Sequence, residues 1–232
     1  DFSTLLWSTY YGGSNNDAGY SVKLDSSYNV VFAGGTSSAD LPEVAGGFQS
    51  AYNGGKTDGY VCKVTEDGAS IIQSTYVGTV SYDQVFFIEV DRWDNIYLVG
   101  QSFGTMPVSA GVYNNPGSSQ FIWKLNPALN ATEFTTVFGN GTTGINISPS
   151  AFLVDVCGNI YVSGWGGSVL GGTPLAGMPT TDDAFQEDPP NGFDFYLMVL
   201  EREAQSLLYA TYMGGDEAQE HVDGGTSRFD KF

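Results

Sequence analysis

"VDRWDNIYLVG", residues 90–100, reads as the end of one strand, a tight turn, and a second strand closed by glycine. Asp91 ends an apolar run, three residues follow, and Asn95 opens a β-branched and aromatic run. Short Asp and Asn side chains bond backbone amides within such turns, so the spacing predicts an Asx-type turn between two strands. The phrase occurs twice more, as "LDSSYNVVFAGG" from Leu24 and "VDVCGNIYVSG" from Val154, with Asp25 and Asn29, then Asp155 and Asn159, in the same places. Two other phrases recur around it. One is "DGYVCKV" (58–64), "SQFIWKL" (119–125) and "DFYLMVL" (194–200); the other is "STYYGG" (8–13), "STYVGT" (74–79), "TTVFGN" (135–140) and "ATYMGG" (210–215).

Each repeat therefore holds four short strands, A to D, with no amphipathic helix of useful length between them, which excludes parallel βαβ units. Repeated four-stranded antiparallel sheets predict an all-β chain, and in particular a β-propeller. Runs apolar on both faces, such as "VFFIEV" (85–90), suit sheets packed between neighbouring sheets. The expected blades are 14–78, 79–139 and 140–215; residues 1–13 would supply the last strand of a preceding blade and 216–232 the start of a further one. Partial blades at both ends, and a start inside a strand-like phrase, predict a segment of a longer, processed protein.

Composition narrows the function classes. With 41% hydrophobic and 14% aromatic residues the chain can fill a core, which excludes disorder as its main state. Its net charge of −18, from 26 acids against 8 Lys and Arg, repels nucleic-acid phosphates and anionic lipid. No apolar run approaches the roughly 18–20 residues a membrane span needs. Cys62 and Cys157 occupy different positions in different repeats, so their spacing implies no disulfide; two unpaired thiols, or Cys157 paired outside the segment, both remain open.

Together the markers resemble the SBBP repeat, a bacterial β-propeller repeat, through "STYYGG", "LDSSYNVVFAGGTSSADLP", "GGFQSAYNGGKTDGYVCKV", "GMPTTDDAFQ" and "DFYLMVL". The middle repeat departs most, with "GVYNN" in place of the Phe-Gln phrase and Ser119 in place of an aspartate. The tail "HVDGGTSRFDK" (221–231) resembles large surface proteins of the Bacteroidota associated with gliding motility and type IX secretion. These resemblances imply a secreted, cell-surface location and a non-enzymatic scaffold or adhesion role. The implied partners are other domains of the same long chain, neighbouring surface proteins or surface polysaccharide.

The propeller reading puts the D-to-A and B-to-C connections on one face, carrying acids such as Asp17, Asp40, Glu43, Asp58, Asp83 and Asp194 against the single base Lys56. Calcium is the candidate cofactor there, because hard cations take carboxylate and carbonyl oxygens in Gly-rich turns. "SNNDAG" (14–19) and "DEAQEHVDGG" (216–225) offer Asp17, Asp216 and Asp223 as ligands, or as turn-capping residues. A lectin-like reading places sugar-stacking aromatics at Trp165, just past a strand in a Gly-rich loop, and at Trp93, Tyr52 and Tyr113, with Asp182 and Asp183 as polar partners; blade packing is the competing role for the aromatics. Adjacency of Asp182 and Asp183 does not supply the opposed geometry of a carboxylate pair, and the sole histidine, His221, has no serine or cysteine triad around it.

Overall fold

The computed structural model describes residues 3–166, 175–189 and 194–215. Asp216, Asp223 and His221, with the partial blade at 216–232, lie outside the described residues. Among the described residues, twelve strands form three four-stranded antiparallel sheets, each ordered as its strands follow in the chain. The first holds β1 (Asp17–Leu24), β2 (Val30–Thr36), β3 (Asp58–Val64) and β4 (Ile71–Val77). The second holds β5 (Asp83–Val90), β6 (Ile96–Ser102), β7 (Gln120–Leu125) and β8 (Thr132–Phe138); the third holds β9 (Ser148–Val154), β10 (Ile160–Trp165), β11 (Phe195–Leu200) and β12 (Leu207–Met213). One 3-10 turn, Arg202–Ala204, is the helical element of the described residues. The described residues are all-β, with the four-strand period the repeated phrases predict.

Two compact units divide the chain, residues 1–104 with 123–133, and 105–122 with 134–232. In the first unit, β3 and β6 are buried along their whole length, as strands covered on both faces must be. Strand β5 packs against β1, β2 and β3, with Tyr20 and Phe86 in ring contact at 5.6 Å and Lys23 paired to Glu89 at 2.7 Å. Tyr60, Cys62, Val64, Tyr76 and Leu41 form a core cluster.

Every Asp-x3-Asn phrase folds as the turn its chemistry prescribes. Asp25 Oδ1 accepts from the amides of Ser27 and Asn29, both at 2.9 Å, while Asn29 Nδ2 donates to Oδ2 at 2.9 Å. Asp91 repeats this with Trp93 and Asn95, and Asp155 with Cys157 and Asn159. The residue just before the asparagine takes positive φ, at Tyr28 (62°), Asp94 (65°) and Gly158 (91°), a conformation that glycine alone adopts without steric cost. Lys63 adds an ion pair to Asp25 at 2.7 Å, and Lys124 lies 3.9 Å from Asp91. The third copy has Val199 at that register, and there the Tyr161 hydroxyl donates to Asp155 Oδ2 at 3.1 Å.

Bulges recur as the turns do. One extra residue interrupts the first strand of each sheet, at Tyr20, Phe86 and Ser150. The fourth strands β4 and β12 carry theirs at Ile72 and Leu208.

Residues 3–13 form no strand. Trp7 and Tyr11 instead pack on the core cluster of the first sheet, Trp7 Nε1 donating to Glu66 O at 2.9 Å and the Tyr11 hydroxyl to Ser74 Oγ at 3.0 Å. Tyr10 points away and is fully exposed.

Candidate functional site

The B-to-C loops position most of the candidate residues, and they are held by their own sheets. In the first sheet the Phe-Gln phrase of the loop lies along β4. Tyr76 N donates to Gln49 O at 3.0 Å, Gln49 N donates to Thr75 Oγ1 at 2.9 Å, and Gly78 N donates to Gln49 Oε1 at 3.1 Å. The third sheet repeats all three bonds between Gln186 and Thr211, Tyr212 and Gly214. The tyrosine hydroxyls fasten the loops from beneath: Tyr76 accepts from Leu41 N at 3.1 Å and donates to Ser38 O at 2.9 Å, and Tyr212 accepts from Met178 N at 2.8 Å. Where the middle repeat has "GVYNN", Asn115 N donates to Val137 O at 2.9 Å, and the Thr136 hydroxyl bonds Tyr113 O.

This framework fixes the aromatic candidates. Trp165 is the last residue of β10 rather than a loop residue, 4% exposed, in a cluster with Ile145; burial removes the open face that sugar stacking needs. Tyr52 is half-buried, packs edge-on to Tyr76 at 6.1 Å and donates to Gly55 O at 3.2 Å. Tyr113 is likewise half-buried, its amide bonded to Ala204 O at 2.6 Å, and burial raises its hydroxyl's pKa. Trp93 is exposed, with the Arg92 guanidinium 4.0 Å over its ring. An open groove of about 540 Å³ bounded by Tyr10, Tyr11, Phe32, Glu43 and Ile71 has Glu43 as its one carboxylate.

Among the acidic candidates, Asp182 and Asp183 are exposed in the turn closed by Ala184 N to Thr181 O. Asp17 is occupied by its own turn: Oδ1 accepts from the Thr36 hydroxyl at 2.5 Å, and Oδ2 from Gly13 N at 2.8 Å and the Ser38 hydroxyl at 3.1 Å. That is the bonding of a turn cap. No group of three or more His, Cys, Asp or Glu among the described residues is placed to hold a metal ion.

Asp58, Asp83 and Asp194, read from sequence as part of an acidic loop face, are instead buried where β3, β5 and β11 begin. Burial raises the Asp58 carboxyl to about 7, with the Asp83 charge adding to it, and burial raises Asp83 as well. A sequence signal for this existed. Gly12 to Asp17 and Gly78 to Asp83 share one spacing, and Asp58, Ser119 and Asp194 each stand at the same interval before a strand-ending glycine.

Both cysteines are free; Cys62 is buried, its thiol pushed up to about 12 by burial, and Cys157 is exposed in the β9–β10 turn. A maleimide is therefore expected to label Cys157 in native buffer and Cys62 only after denaturation, as mass spectrometry of the labelled peptides will show. Equal native labelling of both would contradict this packing.

No helix of the described residues is long and apolar enough to cross a membrane. Neither protein-family models nor curated proteins yield a match to the chain.

Proposed function

We propose that the chain is a stretch of β-propeller acting as a non-enzymatic scaffold and adhesion module of a larger, secreted bacterial cell-surface protein. The resemblance of its repeats to the SBBP pattern supports the propeller and the surface location, and the sheet-on-sheet packing of the first unit suits stacked blades.

One observation carries the scaffold reading. Residues 8–12 share the Ser-Thr-Tyr-x-Gly sequence of β4, yet they have no sheet. The Thr9 hydroxyl already bonds the carbonyl of Tyr10 at 3.2 Å, as Thr75 bonds Tyr76 O at 3.0 Å and Thr211 bonds Tyr212 O at 2.9 Å. Tyr76 and Tyr212 are buried beneath their loops, whereas Tyr10 stands in solvent beside exposed Leu5 and Leu6. In this reading the segment is the fourth strand of a blade whose first three strands come from another unit of the same repeat. That unit's Phe-Gln loop would bond Thr9, Tyr10 and Gly12 as Gln49 bonds Thr75, Tyr76 and Gly78.

Hydrogen–deuterium exchange on the protein taken from its natural source tests this. The Tyr10 and Gly12 amides should then be as protected as those of Tyr76 and Gly78, and fast-exchanging in the isolated 232-residue chain. Fast exchange at Tyr10 in the native protein would remove the scaffold reading's main support.

A further inference from the structure

Where β3 and β5 begin, within the first unit, lies a pair of buried carboxylates. Asp58 and Asp83 are both 0% exposed, and each uses one oxygen for hydrogen bonds. Asp58 Oδ2 accepts from Asn53 N at 2.7 Å and Gln49 Nε2 at 3.3 Å; Asp83 Oδ2 accepts from Thr79 N at 2.6 Å and the Thr79 hydroxyl at 2.9 Å. Among the described residues the other oxygen, Oδ1, has no hydrogen-bond partner in either residue, and the Ser102 hydroxyl beside Asp83 favours its charged form. Both carboxylates converge on Gly78: a methyl group there would lie 3.0 Å from Asp58 Oδ1 and 3.0 Å from Asp83 Oδ2. Among the described residues, no lysine or arginine forms an ion pair with either.

Two unpaired carboxylates side by side in a buried site repel and are poorly solvated, so the arrangement is costly as it stands. The fold does not require it. At the corresponding point of the second unit, Gly139 is flanked by Asn146 and Ser118, with Oδ1 and Oγ at 2.5 and 2.8 Å from the place of a Cβ. Asn140 N donates to Asn146 Oδ1 at 3.0 Å just as Thr79 N donates to Asp83, and Gly141 N donates to Ser118 Oγ at 3.0 Å. Uncharged side chains thus cap the same turn, so the turn itself does not call for the two carboxylates of the first junction.

We propose that Asp58 and Asp83 hold one divalent hard cation, with Gly78 leaving the room for it. Two carboxylates balance a divalent charge, an all-oxygen donor set with no imidazole or thiolate excludes a preference for zinc, and irregular turns with carbonyls and water suit calcium better than the stricter octahedron of magnesium. The site is distinct from Asp17, whose oxygens are already taken by its own turn.

The test is thermal melting of the whole chain, stripped with chelator and then given about 1 mM CaCl2 near pH 7.5, with calorimetric titration of the same cation. Expected are binding of one Ca2+ per chain and a rise in melting temperature of several degrees. Asp58→Asn and Asp83→Asn should abolish both, and Asp17→Asn should keep both. Gly78→Ala, which fills the space between the carboxylates without changing their charge, should abolish binding too, and decides the matter if an Asn variant fails to fold. An equal calcium response in Asp58→Asn would place the ion elsewhere and overturn the proposal. So would no response in the wild type. A shared proton would then be the occupant if wild-type stability fell between about pH 4 and about pH 7, and not in Asp58→Asn, because a carboxyl raised in the folded state loses its stabilising proton as pH climbs through its folded value.

Discussion

Asp25→Ala is expected to lower the stability of the folded chain by about 3–5 kcal/mol, the cost of breaking a buried ion pair from one side. Lys63 is 8% exposed, and without Asp25 it keeps only the carbonyl of Pro127 at 3.3 Å. The amides of Ser27 and Asn29 and the side chain of Asn29 lose their acceptor in the same stroke. For a chain of this size the loss corresponds to a melting temperature lower by roughly 10 °C, read by circular dichroism. A drop of only a degree or two would mean that the turn holds without its carboxylate. Acid should expose the same dependence. Burial pulls the Asp25 carboxyl upward, but the hydrogen bonds from Lys63 and Asn29 outweigh burial and leave it below the ordinary value. A carboxyl lowered in the folded state contributes stability at neutral pH that disappears as pH falls through its folded value. The wild type should therefore lose stability on acidification below about pH 4 more steeply than Asp25→Ala.

The second large effect separates two tyrosines that are identical in the sequence repeat. Tyr76→Ala should cost about 3–5 kcal/mol, since it empties a fully buried aromatic site. It also strips the hydroxyl that joins Leu41 N to Ser38 O, freeing the loop that carries Tyr52. Tyr10→Ala should change the melting temperature of the isolated chain by less than about 2 °C, because surface positions without packing shift stability by about 0.5 kcal/mol or less. Comparable losses for both variants would mean that Tyr10 is buried in solution.

The parts of the fold legible in the sequence were those whose chemistry is local. An aspartate, three residues and an asparagine prescribe their own turn, because every bond in it spans at most four residues, and a strand follows wherever β-branched and aromatic residues run on from it. The bulges at Tyr20, Phe86 and Ser150 were not legible, since an extra residue in one strand shows only against its partner's register. Trp165 was misplaced by a related error. Glycines on either side made it look like a loop residue, while pairing with Phe195 and Ser148 makes it the buried end of a strand. Asp58 and Asp83 were read as surface acids because aspartate at a strand start usually is one. Only the glycine spacing they share with other repeats pointed to a common enclosed position.

The Phe-Gln loops have one more effect, on how the molecule behaves among its own copies. A fourth strand with bare amides and carbonyls on its outer side would invite a neighbouring chain to extend the sheet without limit. Here Gln49 and Gln186 cover that side of β4 and β12, and the kinks at Ile72 and Leu208 spoil the register for any incoming strand. The main chain of residues 8–12 has neither a cover nor a kink. With exposed Leu5, Leu6 and Tyr10 in the same segment, it is expected to set the concentration at which isolated chains begin to stick and precipitate, and the mutual repulsion of molecules of net charge −18 should move that limit upward.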